Sequence, residues 1–251
     1  MTTPRTDKLT QSYYDAQESR ILSNLNKIVA RAPVSSGRIV PDASDLAIHD
    51  GRTLDASVMF LDISKFSSRP SGTQQQQQGL LQILSLFFTE MIKVVEDYSG
   101  VVEKNTGDGL MAYFVNSGGV TAQTKAVACA MTMFYAASHV INPILAKSGI
   151  EEFKFRICID HGPITIAKVG VVRGFNGIVA IGTTANIASK MLAVAEADEI
   201  LLGSDVLQGL AADWISKFVI AKKTETGWHY TSTGDPYIFW KFTGRWAGPR
   251  S

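Results

Sequence analysis

Two aspartates occupy positions from which their carboxylates could act together in catalysis. Asp62 follows the nearly unbroken apolar run Ser57–Leu61, and Asp108 lies between two glycines in the turn-forming segment Asn105–Gly109. If the strand lies beside a hairpin built around that segment, both carboxylates meet at one end of a sheet. Adjacent carboxylates repel each other unless a cation holds them. Taken singly, Asp108 could instead be an ordinary turn residue, and Asp62 an ordinary hydrogen-bond acceptor at the end of a strand.

A hard divalent ion suits such a pair. Mg²⁺ takes carboxylate and carbonyl oxygens and leaves positions open for phosphate, and two such ions about 3.5–4 Å apart clamp the attacking and leaving oxygens of a phosphoryl displacement. The pair therefore predicts a site for two divalent metal ions, Mn²⁺ or Mg²⁺, that acts on a phosphate ester.

Asn186 and Lys190 are four residues apart and share one face of a predicted helix that Thr183 or Thr184 caps. An amide beside a cation could hold a sugar and a phosphate. From the residues alone, a solvated helix face is the favoured interpretation.

Hydrophobic periodicity predicts the elements that position these side chains. Asp7–Arg31 has helical spacing and predicts a helix within an N-terminal helical arm over residues 1–54. No linker divides the rest, so residues 55–251 are predicted to form one domain, the catalytic one. Its predicted strands, helices and turns follow one another in the order typical of an α+β fold, a mixed sheet with helices on one face.

These segments, in chain order, are a strand, a loop that contains five glutamines, a helix, a hairpin, a helix, two strands joined by a turn at Gly162-Pro163, a helix and a strand. They cover Ser57–Leu61, Ser67–Gln78, Gly79–Tyr98, Val101–Val115, Thr121–Lys147, Phe153–Ile159, Ile164–Val169, Thr183–Val194 and Glu199–Leu202.

Composition excludes several classes of protein. Lys and Arg number 24 against 23 Asp and Glu, and a net charge of +1 argues against a general nucleic-acid or membrane-surface binder. The apolar stretch Leu80–Ile92 is too short and too polar to cross a membrane. Cys129 and Cys158 lack metal-ligand spacing and are expected to be buried thiols in a reducing compartment. The first residues lack an apolar signal core, so a cytoplasmic protein with no nucleic-acid or membrane partner is expected.

Four blocks carry a family resemblance: FLDISKF at 60–66, EKNTGDGLMAYF at 103–114, FRICIDHGP at 155–163 and GTTANIASKM at 182–191. In this order they resemble the signatures of class III nucleotidyl cyclases over roughly residues 56–202. The resemblance implies a ferredoxin-like mixed sheet and a head-to-tail homodimer with composite active sites between the subunits. It also implies that a nucleoside triphosphate is converted to a 3′,5′-cyclic monophosphate and pyrophosphate.

The resemblance also assigns roles to single positions. Asp62 and Asp108 are similar to the two metal carboxylates of the family, with the backbone carbonyl of Ile63 as a further ligand. Lys104 is similar to the lysine that recognises the base, and Asn186 to the asparagine that orients the ribose.

Some positions depart from the family. Lys190 stands where the family usually has a transition-state arginine and lacks its planar fork; Arg173 and Lys168 are other cations that could assist. Lys65 replaces a glycine and could reach the triphosphate. Val179, seven residues before Asn186, replaces the residue that reads the other edge of a purine.

These departures predict a pyrimidine substrate. Lys104 can donate to a uracil carbonyl and Val179 requires no amine, so UTP is expected first and CTP next. The pattern resembles the Pycsar antiphage pyrimidine cyclases, whose cyclic nucleotide activates a separate effector. Two alternatives remain. An adenylate cyclase is compatible with Lys104. A catalytically dead nucleotide-binding or dimerisation module is favoured by Lys190 and disfavoured by the two retained aspartates.

Overall fold

An eight-stranded mixed sheet organises the chain. The computed structural model describes residues 10–29, 51–105, 107–169, 177–222, 226–230 and 233–248. The strands are β1 (Gly51–Ile63), β2 (Val101–Asn105), β3 (Gly109–Phe114), β4 (Phe155–Val169), β5 (Gly177–Ile181), β6 (Ile200–Gly203), β7 (Val219–Ala221) and β8 (Phe239–Phe242). Their order is β2-β3-β1-β4-β6-β8-β7, with β5 paired to β4. β4 and β6 run parallel and the other pairs antiparallel, so the predicted mixed α+β sheet is confirmed.

Seven helices accompany the sheet in the described residues. They are α1 (Gln11–Val29), α2 (Gln74–Asp97), α3 (Ala122–Ala136), α4 (Asn142–Lys147), α5 (Thr183–Met191), α6 (Ser204–Leu207) and α7 (Ala212–Phe218). A π turn, Ala137–Ile141, joins α3 to α4 within the segment predicted as one helix. Pro143 has no N–H to donate to the preceding turn, which accounts for the interruption.

The glutamine tract is helical, and the prediction of a loop over Ser67–Gln78 was wrong from Gln74 onward. Thr73 and Gln76 form a capping box: the Gln76 N–H donates to the Thr73 hydroxyl over 3.2 Å, and the Thr73 N–H donates to the Gln76 side chain over 3.1 Å. The box satisfies backbone donors that a helix start leaves open. It lets α2 begin inside the polar tract, ahead of its apolar stripe.

β1 and β4 form the longest strand pair, and both strands are longer than predicted. All 13 residues of β1 pair with β4, from Gly51 opposite Ala167 to Ile63 opposite Phe155. The chain does not turn at Gly162-Pro163 as predicted, because Gly162 adopts a φ of 153° within a continuous strand. A side chain is excluded there, since a Cβ would lie 2.8 Å from the Thr184 hydroxyl of α5.

The sheet has a core on each face. Met59, Leu61 and Ile63 of β1 face the larger one, which α1, α2 and α3 cover. Val58 and Phe60 point to the other face, where α5 packs, so helices lie on both faces of the sheet and not on one as predicted. The period of two in a strand alternates the side chains between the faces, so β1 supplies both cores.

The N-terminal helix packs on the sheet-bearing body. Ile21 and Leu25 are part of the larger core, and the buried Glu90 of α2 accepts hydrogen bonds from Gln17 over 2.9 Å and from Arg20 over 2.7 and 3.0 Å. The expected boundary at residue 55 falls inside β1. Residues 30–50 of the predicted arm lie outside the described residues.

Two helical stretches, α2 and the run from α3 through α4, are long and apolar enough to cross a membrane by length and composition alone. Both pack their apolar faces into the larger core, and the second stretch is mostly buried. Such burial is the usual behaviour of a core helix.

Candidate active site

The register of β1 places the two predicted metal carboxylates at one end of the sheet. Asp62 pairs with Gly109, the residue after Asp108, and the Ile63 N–H donates to the Asp108 carbonyl over 3.2 Å. Asp62 and Asp108 are both partly buried. The structure thus brings Asp62, Ile63 and Asp108 together, and the convergence expected from a strand beside a hairpin is observed.

Arg156 joins this end of the sheet, and the sequence reasoning missed it. It lies opposite Asp62 in the β1–β4 register and donates to Asp62 Oδ2 through Nε at 3.0 Å and Nη2 at 2.7 Å. Its Nη1 donates to the Ala195 carbonyl, four residues beyond α5, over 3.1 Å. Alternation in Phe155–Ile159 marked Arg156 as a polar-face residue, but only the strand register shows which carboxylate it meets.

The oxygen atoms left at this end suit a hard divalent cation. Within the described residues, no hydrogen bond reaches Asp62 Oδ1 or the Asp108 carboxylate, so both remain open. No group of three or more His, Cys, Asp or Glu side chains that could hold a metal occurs among those residues. The donor set is therefore two carboxylates with backbone oxygen nearby. Mg²⁺ and Mn²⁺ accept such a set, whereas softer metals favour nitrogen or sulfur.

Helix α5 holds its functional candidates away from the sheet. Ala185, Ala188 and Met191 are buried against the smaller core, while Asn186 and Lys190 are exposed on the same helix. The shared face predicted from their spacing is confirmed. Within one chain, none of the contacts in the described structure joins Asn186 or Lys190 to Asp62 or Asp108, the carboxylates predicted to bind metal.

The start of α5 is fixed by close backbone packing. Its N-cap is Gly182, and the prediction that Thr183 or Thr184 caps the helix was wrong. Gly182 has a φ of 159°, and a Cβ there would meet the Pro163 carbonyl at 3.0 Å. The Thr184 hydroxyl donates to the same carbonyl over 3.3 Å. Since Gly162 lies opposite Ala56 and Arg156 opposite Asp62, the chain from Thr184 to Ala195 runs along β1 toward the carboxylate end.

Lys65 is exposed and has a left-handed backbone with a φ of 57°. Its carbonyl accepts from the Ser68 N–H over 3.3 Å and from the Ser68 hydroxyl over 2.8 Å, which closes a short 3₁₀ turn. A left-handed residue favours glycine. This conformation accounts for the glycine that the resemblance leads one to expect at this position.

The two positions predicted to read the base, Lys104 and Val179, lie on contacting strands. Lys104 pairs through its backbone with Met111, next to a bulge in the β2–β3 hairpin, and Val179 of β5 pairs with Ala167. β2 and β5 contact each other. The side chains of Lys104, Val179 and Lys168, and all of Arg173, lie outside the described residues.

Asp160 is a buried carboxyl on the α5 side of the sheet that the sequence reasoning gave no role. It is 3% exposed and accepts a hydrogen bond from the Tyr237 hydroxyl over 2.8 Å. Burial raises its pKa to about 7, although the Tyr237 hydroxyl and the His161 N–H act in the opposite direction. Cys158, on the same face, is fully buried, and burial raises its pKa, as expected of an unreactive thiol.

Comparisons with known proteins agree with this geometry. Residues 48–229 match the family described as the adenylate and guanylate cyclase catalytic domain. A uridylate cyclase of Burkholderia cepacia is 28% identical over 215 residues, which cover 81% of this chain and 88% of the relative. A uridylate cyclase of Rhodovulum sp. (strain MB263) is 23% identical over 62% of this chain and 65% of the relative. A cytidylate cyclase of Escherichia coli is 24% identical over 61% of this chain and 34% of its own length.

Solved structures support the fold. The guanylyl cyclase Cya2 superposes with a TM-score of 0.63 at 18% identity, covering 78% of this chain and 94% of its own. The adenylyl cyclase CyaB from P. aeruginosa gives a TM-score of 0.59 at 21% identity, covering 77% of this chain and 95% of its own. At these identities the likeness concerns architecture.

Proposed function

The chain belongs to the family of adenylate and guanylate cyclase catalytic domains and is a nucleotidyl cyclase, and on that premise we propose that its substrate is a pyrimidine nucleoside triphosphate. UTP is the favoured substrate and CTP the next. The products are the 3′,5′-cyclic monophosphate and pyrophosphate. The observation that carries the catalytic part is the meeting of Asp62 and Asp108 at one sheet end through the β1–β3 register.

Asp62, Asp108 and the backbone carbonyl of Ile63 are the residues that would hold two divalent metal ions, Mn²⁺ or Mg²⁺. When bound, such ions neutralise phosphate charge and lower the pKa of a coordinated hydroxyl. Asp62 Oδ1 is open for this purpose even while Arg156 occupies Oδ2. Arg156 keeps the Asp62 carboxylate paired, which limits the cost of two like charges at one place.

The reaction is an in-line displacement at the α-phosphorus. The ribose 3′-oxygen forms a bond to phosphorus, the bond to the β-phosphate oxygen breaks, and pyrophosphate leaves with that electron pair. The 3′-hydroxyl proton passes to solvent or to the leaving group. In this scheme Asn186 orients the ribose, and the Lys190 ammonium offsets the negative charge that grows on the phosphate oxygens.

Base choice follows from side-chain chemistry at two positions. Lys104 donates hydrogen bonds, and a uracil or cytosine carbonyl accepts them. Val179 offers no acceptor for the exocyclic amine of adenine, and an unpaired buried amine is costly. The names of the relatives from Burkholderia cepacia and Rhodovulum, both uridylate cyclases, support the same choice.

The active site is composite. Asn186 and Lys190 face away from the sheet of their own chain, so we place them against the carboxylates of a second copy in a head-to-tail homodimer. Two equivalent sites result, one at each junction. Lys65, on the exposed loop after Asp62, is placed to meet the triphosphate from the metal side.

The cellular role we propose is a second-messenger signal in antiphage defence, in which the cyclic nucleotide activates a separate effector protein in the cytoplasm. The chain itself needs no nucleic-acid or membrane partner for this role. Support comes from the balanced charge of the chain and from its similarity to pyrimidine cyclases.

Product identification tests the proposal. The purified chain is incubated with Mn²⁺ and each of UTP, CTP, ATP and GTP, and products are identified by mass spectrometry against 3′,5′-cyclic and 2′,3′-cyclic standards. Cyclic UMP as the dominant product supports the proposal. Cyclic AMP as the dominant product establishes the adenylate cyclase alternative, and no product from any triphosphate establishes the dead module. Asp108→Ala protein is the matched control for contaminating activity.

A further inference from the structure

A cavity of about 1010 Å³ opens beside the loop that follows Asp62 and Ile63. Residues 64–70 form one wall, and the end of α3, the π turn and the C-terminal residues 245–246 form others. Phe134, Tyr135 and Trp246 in these walls belong to the larger core, on the face opposite α5. The cavity is therefore separate from Asn186 and Lys190 and shares only the 64–70 loop with the proposed cyclase site.

Arg245 supplies a positive charge that is not paired with a carboxylate. Its guanidinium carbon lies 4.4 Å from the centroid of the Phe134 ring. Nη1 donates to the Gly244 carbonyl over 2.8 Å and Nη2 to the Asp198 carbonyl over 2.6 Å. These acceptors are backbone carbonyls, and no ion pair to Arg245 is formed within the described residues. A half-buried cation of this kind favours a nearby anion.

The other charged side chains of the cavity are largely paired with one another. Arg69 lies 3.5 Å from Glu151, and Lys154 lies 2.9 Å from Asp198. Both carboxylates are exposed, at 79% and 49%, so these pairs stand at the rim. Lys65 and Glu152 are exposed and also line the cavity. Its four cations outnumber its three carboxylates, so the net charge of its lining is positive.

Ser64 also lines the cavity, but its unsatisfied hydroxyl exposes less than 1 Å² and reaches the cavity only after its side chain rotates. Its Oγ is buried and has no hydrogen-bond partner in the described structure, while its N–H donates to the Lys154 carbonyl over 2.8 Å. Buried polar atoms without a partner are rare in native proteins, and a ligand or water satisfies most of them. Ser68, another wall residue, differs, because its hydroxyl already donates to Lys65.

Aromatic rings complete the lining. Tyr135 and His139 are stacked, with ring centroids 4.4 Å apart and planes 13° from parallel, and Trp246 lies in the same wall. Tyr135 and Trp246 are only 4% and 5% exposed, so His139 is the exposed ring of this wall and the one on which a planar ligand could stack. Cavities of several hundred to about 1,000 Å³ hold small organic molecules.

We propose that this cavity binds a planar aromatic anion, with a phosphate or carboxylate group at Arg245 and at a Ser64 hydroxyl that rotates toward it, and with a ring stacked on His139 beside Tyr135 and Trp246. The occupant contacts the loop that continues from Asp62 and Ile63, which makes it a regulator of the cyclase site. That regulatory role rests on the proposed function; the binding does not.

Calorimetric titration of the full chain in EDTA tests the binding, with 1-naphthyl phosphate as the probe and inorganic phosphate and 1-naphthol as its two halves. The probe is expected to bind at least about tenfold more tightly than either half. Arg245→Met should weaken it by about tenfold or more, the typical loss when a charged hydrogen bond is removed. Ser64→Ala should weaken it severalfold, and the matched control Ser68→Ala should leave it unchanged.

Three outcomes overturn the binding: no heat with the native chain at millimolar probe, equal affinity in the native and Ser64→Ala proteins, or a loss that follows Asn186→Ala instead. If Arg245→Met does not fold, as judged by near-UV circular dichroism, the comparison of Ser64→Ala with Ser68→Ala decides whether the probe binds at this cavity. For the regulatory role, cyclase kcat and KM are measured with and without saturating probe. A change of twofold or more that Ser64→Ala removes supports it, whereas binding with unchanged kinetics in an active enzyme overturns it. An inactive chain that still binds the probe overturns the proposed function and leaves the cavity assignment standing.

Discussion

The carboxylate end of the sheet and the exposed face of α5 carry the two halves of the proposed chemistry in different ways. Asp62 lies in β1, and Asp108 directly precedes β3, the strand paired with β1, so backbone register fixes their spacing. Asn186 and Lys190 project from a helix that packs through Ala185, Ala188 and Met191 and leaves the opposite side open. The two carboxylates meet within one chain. In the described structure, Asn186 and Lys190 contact neither carboxylate of that chain. The contrast supports a site that two copies complete.

The largest expected effect breaks the carboxylate half. Asp62→Ala and Asp108→Ala should each lower kcat by at least about 10²–10³-fold, because the charge stabilisation at the phosphate is lost. The fold should persist, since both side chains are at the end of the sheet and only partly buried. Steady-state cyclisation and thermal unfolding measure the two quantities.

Asp55→Ala is the control for this experiment. Asp55 lies on the same strand, with a side chain that is 66% exposed and 3.4 Å from His161. Asp55→Ala should leave kcat within about twofold, because surface substitutions away from the site have small effects. Substantial activity in either Asp62→Ala or Asp108→Ala protein that unfolds normally would contradict the metal assignment.

Mixing two inactive chains sharpens the comparison. Asp62→Ala and Asn186→Ala subunits each lack a different half, so one of the two sites in their heterodimer is intact. A statistical mixture, half of it heterodimer, should recover roughly a quarter of native activity by this symmetry argument. The control mixes the doubly substituted Asp62→Ala, Asn186→Ala chain with native subunits. A composite site leaves only its native homodimers active, roughly a quarter of native activity, whereas a site within one chain would leave roughly half. Verified heterodimers without activity would refute a composite site.

The pH dependence of the free energy of unfolding tests the role of the buried Asp160 carboxyl. The Asp160 pKa is raised from 3.8 to about 7 in the folded chain, so folding keeps a proton that the unfolded chain releases. Stability from this group is full below about pH 4 and is lost as the pH rises toward 7, by up to about 1.4 kcal/mol per pH unit. Asp160→Asn should therefore flatten the decline in the free energy of unfolding between pH 4 and pH 7. Urea titrations at four pH values measure it.

The exposed Asp235→Asn change serves as control for the pH titration, and its pH dependence should match that of the native chain. An equal decline in Asp160→Asn protein would show that another group is responsible.

The smallest expected effect concerns Lys65, in the exposed loop that follows Asp62. Lys65→Gly should raise the free energy of unfolding by about 1 kcal/mol, because glycine adopts the left-handed backbone without a steric penalty. It should also raise KM for the triphosphate severalfold through the lost ammonium. Lys65→Asn, which tolerates the same backbone without charge, should reproduce the change in KM. An unchanged KM in both proteins would remove Lys65 from the substrate site.

Local patterns predicted much of this architecture. The apolar run before Asp62 and the glycines around Asp108 were enough to place both at one sheet end, and a spacing of four residues was enough to place Asn186 and Lys190 on one face. These inferences depend on period and turn chemistry, which act within a few residues.

Contacts between distant segments were not predictable in the same way. Arg156 meets Asp62 only because two strands 94 residues apart pair in one register. The turn expected at Gly162 is instead a continuous strand, since pairing with β1 along its length overrides the local preference of Gly-Pro. Asp160 likewise gains its hydrogen bond from Tyr237, 77 residues away. Polar periodicity marks such residues but does not identify their partners.

The specificity constants of the native chain test the central claim most directly. With Mn²⁺ present, kcat/KM is measured for UTP, CTP, ATP and GTP under identical conditions. Val179 offers no acceptor to the adenine amine, so kcat/KM for UTP should exceed the values for ATP and GTP by at least about tenfold. Val179→Asp should narrow that gap. An ATP value equal to or above those for UTP and CTP would contradict the assignment of a pyrimidine cyclase.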